Sequence, residues 1–296
     1  MSYIGRFAPS PSGPLHFGSL VAALGSYFQA KSQQGQWLVR IEDLDPPREM
    51  PGAAALILKT LEAYQLEWDG EIAYQSQRHA LYQAHIDAWL TSGHAYYCQC
   101  SRKQIKASGG YYLGTCREAT PSNPKQCSVR LKVDAPVMAF LDQKHGQIPI
   151  PEAQAKEDFI VKRRDGFYAY NLAVVIDDIE QGITEVVRGA DLIEPTGRQI
   201  SLYQTLNAPL VSYLHLPLIL DENGNKLSKQ NHATAISLDD PKKDLIRAMR
   251  VLGFHMEQSL YEGSVAELVA WGCQHWDLHQ LPEAIEITPR FSNGLS

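Results

Sequence analysis

Two short segments that lie far apart in the sequence carry the residue types of a nucleotide site. The first, from Pro9 to Gly18, contains His16, and the second is Lys226-Leu227-Ser228-Lys229. A histidine can donate a hydrogen bond to a phosphate oxygen, and a glycine lets a ligand approach the backbone closely. Two lysines three positions apart supply positive charge that can follow a departing pyrophosphate. Together the segments predict the two halves of one ATP site.

The elements around the first segment favour the same interpretation. An apolar run over residues 3–8 predicts a strand, and apolar residues at helical spacing predict a helix over roughly residues 20–34. His16 and Gly18 should therefore lie where a strand gives way to a helix. Unpaired backbone N–H groups and the positive end of the helix dipole favour a phosphate at such a junction.

The rest of the chain predicts an α/β fold with a doubly wound, Rossmann-like parallel sheet and its ligand at the carboxyl ends of the strands. The further strands are expected over residues 37–42, 159–162, 168–175 and 185–188. Short β-like runs among Gly and Pro between them predict a small insertion. We expect residues 1–95 and 158–235 to form the two halves of the catalytic domain, residues 96–157 the insertion, and residues 236–296 a short helical region.

Each ATP segment alone is weak evidence, since a lone His-x-Gly usually marks a turn and a lysine-rich loop usually marks a solvated surface. Other chemically distinctive segments lie between the two: Arg40-Ile41-Glu42-Asp43-Leu44-Asp45, Tyr170-Asn171-Leu172-Ala173 and Val187-Arg188-Gly189-Ala190-Asp191. With His16-Phe17-Gly18-Ser19 and Lys226-Leu227-Ser228-Lys229-Gln230, they resemble the motifs of class I aminoacyl-tRNA synthetases. From residue 3 to about residue 235 the chain is similar to the catalytic domain of the glutamate-specific members.

The resemblance implies ATP as a substrate, accompanied by Mg²⁺, and it implies roles for individual residues. The residues expected to act in catalysis are His16, Gly18, Lys226 and Lys229. Those expected to bind ATP are Pro9, His16, Gly18, Ser19 and Lys229. Formation of glutamyl-adenylate needs positioning and charge neutralisation rather than a covalent enzyme intermediate. The resemblance also implies that glutamate is activated without tRNA.

A glutamate pocket needs cationic or N–H partners for two carboxylates and an anionic partner for one ammonium. Arg6, Arg188 and Glu42 can supply these groups if they face the crevice at the ends of their strands. Position by position, the resemblance carries glutamate binding onto Arg6, Ser10, Glu42, Tyr170 and Arg188. Which arginine would hold the side-chain carboxylate stays open.

The short region after Lys229 bears on the RNA that would accept the glutamate. Glutamyl-tRNA synthetases carry a long anticodon-reading region there, and the resemblance is stronger to truncated paralogs that attach glutamate to the queuosine base at the wobble position of tRNA(Asp). We therefore expect queuosine-containing tRNA(Asp) as the partner. The alternatives are a shortened glutamyl-tRNA synthetase that charges the tRNA 3′ end and a catalytically idle paralog that binds tRNA.

Three of the five cysteines cluster in the predicted insertion, as Cys98, Cys100 and Cys116. Clustered thiols in a reducing compartment bind zinc more often than they form disulfides, and a tetrahedral site needs a fourth ligand. Spacing alone leaves Cys127, His94 and His145 open as that ligand. The resemblance implies Tyr112 instead, and one structural zinc per chain.

Composition and charge set the outer limits on function. The 296 residues are 44% hydrophobic and carry a net charge of −6, which argues against sequence-blind nucleic-acid binding but leaves room for a local basic surface. No apolar run reaches the roughly 18–20 residues of a membrane span. With no signal-like start to the sequence, we expect a cytoplasmic monomer that does not associate with membranes.

Overall fold

The computed structural model describes residues 2–227 and 234–289. Within these ranges the strands are β1 (Ile4–Phe7), β2 (Gln36–Ile41), β3 (Ala73–Tyr74), β4 (Ala95–Cys98), β5 (Ser128–Leu131), β6 (Ala139–Asp142), β7 (Gly146–Pro149), β8 (Ile160–Lys162), β9 (Glu185–Gly189), β10 (Ser212–Leu216), β11 (Leu218–Ile219) and β12 (Glu286–Ile287). The helices are α1 (Phe17–Ser32), α2 (Ala53–Ala63), α3 (His79–Ser92), α4 (Arg102–Ala107), α5 (Glu152–Ala155), α6 (Tyr170–Glu180), α7 (Thr196–Thr205), α8 (Pro241–Val251) and α9 (Val265–His275).

Parallel strands form the centre of the fold in two groups. The first group has the order β1-β2-β3 and is parallel throughout. The second has the order β7-β6-β10-β9, in which β10 runs parallel to both of its neighbours, β6 and β9. The groups meet where β1 runs beside the start of β9: the Thr184 N–H donates to the Ile4 carbonyl at 2.9 Å, and the Ile4 N–H donates to Thr184 Oγ1 at 3.0 Å. The predicted α/β architecture with a parallel sheet is confirmed.

A separate antiparallel sheet, with the order β4-β5-β8, carries the segment rich in cysteine. Strand β8 was expected to resume the parallel sheet, but it pairs with β5 instead. Strand β6 lies inside the predicted insertion, residues 96–157, yet it pairs with β10. The chain therefore crosses between the parallel strands and the antiparallel sheet more often than the sequence pattern indicates. The exact limits of the domains stay a prediction.

The predicted strand over residues 168–175 is wrong, because most of this segment belongs to helix α6. Its apolar run, Leu172 to Ile176, is buried throughout. A continuous apolar run lacks the alternation that separates a strand from a buried helix, and β-branched residues such as Val174 and Val175 favour a strand.

Helix α1 is the central packing element beneath the parallel strands. Its residues Leu24 and Phe28 are fully buried, and they share one apolar cluster with Met249 of α8 and Leu268 of α9. The helices of the C-terminal region therefore pack into the same core as α1, β1 and β2. In the part of the chain that the structure describes, no helix is long and apolar enough to cross a membrane.

Candidate active site and cysteine cluster

A cavity of about 500 Å³ opens at the carboxyl ends of β1, β9 and β10. It gathers the predicted ATP and glutamate residues that lie in the described part of the chain. Those residues are Arg6, Pro9, Ser10, His16, Gly18, Ser19, Glu42, Tyr170, Arg188 and Lys226. Lys229 lies outside the described residues, as does Ser228. Segments separated by most of the chain thus meet in one cavity, as the sequence predicts, while the role of each residue stays a prediction.

His16 caps the amino end of helix α1. Its Nδ1 accepts a hydrogen bond from the Ser19 N–H at 3.2 Å, which satisfies one of the unpaired donors of the first turn. Because Nδ1 is the acceptor, the proton of the neutral ring lies on Nε2, which makes Nε2 a hydrogen-bond donor. A side chain at Gly18 would place its Cβ 3.3 Å from the imidazole, so glycine at this position lets the ring lie close to the helix.

The lysine segment is anchored on both sides of its undescribed part. Before it, Lys226 forms an isolated β-bridge with Leu220, and its ammonium is ion-paired with the Asp191 carboxylate. After it, Ala235 forms an isolated antiparallel bridge with His16. The chain therefore returns to the ATP segment immediately after residues 228–233.

Two arginines of neighbouring strands share one buried carboxylate. Arg6 contacts Asp178 through Nε–Oδ1 at 3.1 Å, and Arg40 contacts the same Oδ1 through Nη2 at 2.8 Å. All three side chains are less than 5% exposed. Burial pushes the pKa of Asp178 up, but the attraction of Arg6 and Arg40 outweighs burial and holds the pKa below its usual value. Asp178 is therefore an ionised anchor between β1, β2 and α6.

Asp177, the neighbour of Asp178, is also fully buried and joins α6 to the start of α3. It accepts hydrogen bonds from Tyr82 Oη at 2.8 Å and from Arg78 Nε at 2.6 Å. Both aspartates were missed by the sequence reasoning. The available signal was a pair of carboxylates inside an apolar run, together with two arginines on buried strands that needed a partner.

Glu42 presents an unsatisfied carboxylate oxygen in the cavity wall. Its side chain is 8% exposed, and Oε1 has no hydrogen-bond partner among the described residues, with Arg40 Nη2 at 3.7 Å. Burial raises the pKa of Glu42 to about 7, against the opposing attraction of Arg40 and Arg6. A cationic group in the cavity would supply the missing partner and lower that pKa again.

Arg188 is held from three sides. Its Nε donates to His215 Nε2 at 3.2 Å, its Nη1 to Gln199 Oε1 at 2.8 Å, and its Nη2 to Thr196 Oγ1 at 2.8 Å. The residue is 5% exposed and still borders the cavity. Its partners on β10 and α7 were not singled out from the sequence, because a lone buried histidine or glutamine carries no motif.

A second cavity, of about 700 Å³, adjoins the first. The two share Ser10, Ser12, Glu42 and Tyr170 as lining residues, and Phe167 and Tyr168 add aromatic surface to the second cavity alone. A ligand in the second cavity would therefore lie next to whatever binds beside Glu42.

The thiols of Cys98, Cys100 and Cys116 converge, with their Sγ atoms within 4.8 Å of one another. Tyr112 lies beside them and accepts a hydrogen bond from the Cys116 N–H through its phenol oxygen at 2.8 Å. Its ring is covered by the guanidinium of Arg130, 3.8 Å from the ring centroid. The three thiols can supply three of the four ligands of a tetrahedral zinc site, and the phenol oxygen of Tyr112 lies beside them.

The other candidates for the fourth ligand have partners elsewhere. The Cys127 thiol donates to the Asn123 carbonyl at 3.4 Å, and His145 Nε2 lies 3.1 Å from the His215 carbonyl. His94 Nδ1 is hydrogen-bonded with Ser92 at 2.8 Å. Tyr112 is therefore the candidate that the fold brings next to the three thiols.

Residues 4–264 match the family described as tRNA synthetases class I (E and Q), catalytic domain. The chain is 69% identical over 294 residues to a protein named glutamyl-Q tRNA(Asp) synthetase from Vibrio cholerae, covering 99% of this chain and 97% of that protein. A protein of the same name from Salmonella typhi is 55% identical over 293 residues, with 99% and 98% of the two chains covered.

The fold is similar to a crystal structure of glutamate-tRNA synthetase from Elizabethkingia anophelis. The TM-score is 0.80 at 24% identity, and the likeness covers 99% of this chain and 68% of that chain. At that identity the comparison supports the fold alone.

The raised pKa of Glu42 predicts a stability difference that depends on pH. In the unfolded chain a glutamate ionises near 4.5, so the buried carboxylate lowers the stability of the ligand-free protein progressively as pH rises from about 4.5 to 7. Glu42→Gln should therefore raise the melting temperature by a few °C, on the order of 1 kcal/mol or more, at pH 8 and by much less at pH 5.

The matched control is Glu62→Gln on the exposed face of α2, which should leave the melting temperature unchanged at both pH values. Thermal unfolding of the three proteins at pH 5 and pH 8 measures the difference. A melting temperature of Glu42→Gln that differs from the unaltered protein by the same amount at both pH values would show that Glu42 is satisfied in the ligand-free protein.

Proposed function

Because the chain belongs to the class I tRNA synthetases of the E and Q type, we propose that it activates glutamate with ATP and transfers the glutamyl group to queuosine in tRNA(Asp). The unsatisfied carboxylate of Glu42, buried in the same cavity as Arg6 and Arg188, is the observation that carries the amino-acid half of this proposal. The names of the relatives, which cover nearly the whole chain, support the acceptor and favour it over charging of a tRNA 3′ end.

In the proposed complex the ammonium of glutamate is the missing partner of Glu42. The guanidinium groups of Arg6 and Arg188 face the two carboxylates, while Ser10 and Tyr170 complete the wall. Arg6 already engages Asp178 through Nε and Nη2, so Nη1 is the nitrogen that a ligand can use. An uncharged amide in place of the side-chain carboxylate would leave a buried cation poorly satisfied, which disfavours glutamine.

The ATP half of the proposal rests on the start of α1. Pro9 and Gly18 line the cavity, Ser19 lies in the first turn of α1, and His16 caps that turn with a protonated Nε2 that can donate to a phosphate oxygen. Mg²⁺ would enter with ATP and offset phosphate charge. Lys226 and, from the undescribed segment, Lys229 would follow the departing pyrophosphate.

The ion pair of Lys226 with Asp191 holds this lysine at the cavity edge in the ligand-free protein. Because the pair is at the protein surface, its net strength is small, on the order of 1 kcal/mol or less. The charge of a bound triphosphate is large enough to compete for the lysine.

The reaction proposed for these groups consists of two displacements. An α-carboxylate oxygen of glutamate attacks the α-phosphorus of ATP, the bond to the β-phosphate oxygen breaks, and pyrophosphate leaves. A hydroxyl of the acceptor then attacks the acyl carbon of the adenylate, and AMP leaves as the hydroxyl proton is lost. The protein binds, orients and neutralises charge in both steps, so no residue is acylated.

The second cavity is the proposed entry for the acceptor. Since it shares Ser10, Glu42 and Tyr170 with the glutamate site, a hydroxyl that enters there comes beside the acyl group. Phe167 and Tyr168 offer aromatic surface for a nucleobase.

The test of the activation step is glutamate-dependent exchange of pyrophosphate into ATP by protein freed of RNA. Exchange is expected in the unaltered protein. His16→Asn should lower the rate by roughly 10²–10³, the scale for removing one charge-stabilising donor. Asparagine is a good helix cap, so this variant should keep the melting temperature of the unaltered protein. Full activity in His16→Asn would contradict the role of the imidazole, and exchange that requires tRNA would contradict independent activation.

We also propose that Cys98, Cys100, Cys116 and Tyr112 hold one structural zinc ion, which ties together a small sheet with little core of its own. Elemental analysis of the purified protein should find about one zinc per chain. Cys116→Ser should lose the metal, whereas the matched Cys127→Ser should keep it. Tyr112→Phe should reduce zinc retention during dialysis against a chelator. Undiminished retention in Tyr112→Phe would remove the phenol from the ligand set, and a metal-free unaltered protein would end the zinc proposal.

A further inference from the structure

A buried chain of three polar side chains runs from the β6–β7 hairpin to the amino-acid cavity. Asp142 Oδ2 lies 2.7 Å from Nδ1 of His215, and Nε2 of His215 lies 3.2 Å from Nε of Arg188. The exposed fractions of Asp142, His215 and Arg188 are 1%, 0% and 5%. Sequence reasoning assigned Arg188 to glutamate but gave no role to the two residues behind it.

Both carboxylate oxygens of Asp142 accept hydrogen bonds. Oδ1 accepts from the backbone N–H groups of Lys144 and His145 at 3.0 Å each, and Oδ2 accepts from the His215 backbone N–H at 3.0 Å. Burial raises the pKa of Asp142, but the hydrogen bonds from His215 and from these backbone groups outweigh it and hold the pKa below its usual value. Asp142 is therefore an ionised acceptor.

An ionised acceptor at 2.7 Å determines the tautomer of His215. The Nδ1 atom must carry the proton that is donated to Asp142, which leaves a lone pair on Nε2. That lone pair faces the Nε–H of Arg188. Burial and the charge of Arg188 lower the pKa of His215, opposed by Asp142, so the ring stays neutral and keeps this acceptor.

The contact with His215 completes the fixation of the guanidinium. Helix α7 holds Nη1 and Nη2 through Gln199 and Thr196, while His215 on β10 holds Nε from the other side. The guanidinium is thereby fixed in the plane in which it borders the cavity. Without an acceptor at Nε2, a buried N–H of a cation would be left unpaired, and the group would turn to find another partner.

We propose that His215 and Asp142 are positioning residues, which orient Arg188 for a carboxylate of the amino-acid substrate. This inference rests on the proposed function, because Arg188 is assigned there to glutamate. It predicts that glutamate binding depends on a hydrogen-bond acceptor at the place of His215 Nε2, whichever side chain supplies that acceptor.

Two substitutions of His215 test the contacts of its two ring nitrogens one at a time. The longer amide introduced by His215→Gln reaches the place of Nε2 and can accept from Arg188. The shorter amide introduced by His215→Asn reaches the place of Nδ1 and can donate to Asp142, but it leaves Arg188 Nε without its acceptor. Both variants introduce one buried amide, so a comparison of their melting temperatures shows whether one variant is less stable than the other.

In pyrophosphate exchange, His215→Asn should raise the KM for glutamate about tenfold or more, whereas His215→Gln should change it by less than about threefold. The KM for ATP should stay within about twofold of the unaltered value in both. Equal changes in the two variants, or parallel changes in both KM values, would overturn the proposal and assign His215 a structural role alone.

A spectroscopic measurement separates this inference from the proposed function. The ¹⁵N-labelled unaltered protein should show His215 in the Nδ1–H tautomer and a slowly exchanging Nε–H of Arg188, identified by its loss in Arg188→Lys. The slow exchange should persist in His215→Gln and vanish in His215→Asn. If the unaltered protein catalyses no glutamate-dependent pyrophosphate exchange, the proposed function fails. The spectra would still decide whether His215 holds Arg188. A rapidly exchanging Nε–H in the unaltered protein would overturn the positioning role.

Discussion

Two guanidinium groups buried side by side on neighbouring strands require a shared carboxylate, and the rest of the site depends on how Asp178 meets that requirement. Arg6 and Arg40 lie on β1 and β2, and Asp178 reaches both from α6. A buried cation without such a partner would cost several kcal/mol, so these contacts strongly constrain where α6 lies against the two strands. Tyr170 begins this helix and therefore enters the cavity wall as a consequence of the ion contacts.

The same contacts leave Glu42 in an unusual position. Of the carboxylates near Arg40, Asp178 is the closest, at 2.8 Å. Glu42 is left 3.7 Å from Arg40 with an oxygen unsatisfied and a pKa raised to about 7 by burial. A carboxylate in this state is unfavourable in the ligand-free protein and would be relieved by the ammonium of the proposed amino-acid substrate. Under the proposed function, part of the stability of the free protein is thus given up for selective binding, which is a common property of sites that bind charged ligands.

The sequence predicted the parts of this arrangement that depend on local pattern or motif. His16 and Lys226 line one cavity, as their motifs predict, and Arg6 and Arg188 enter the same cavity from the ends of their strands. Helix α6 could not be predicted in the same way, because its continuous apolar run has no periodicity that distinguishes a buried helix from a strand. The partners Asp178 and His215 were missed for a related reason. Each acts through a contact with a residue far away in the sequence. The pair of carboxylates in an apolar run indicates that Asp178 needs a partner but does not identify that partner, and His215 carries no local signal.

The most direct test of the central claim is glutamylation of a minimal RNA. Purified protein, ATP and labelled glutamate are combined with the anticodon stem-loop of tRNA(Asp), prepared with queuosine or with guanosine at the wobble position, and with tRNA(Glu) in a third reaction. The proposed function predicts label on the queuosine-containing stem-loop and none on the guanosine-containing stem-loop or on tRNA(Glu). Charging of tRNA(Glu) at its 3′ end, with no reaction on either stem-loop, would contradict it.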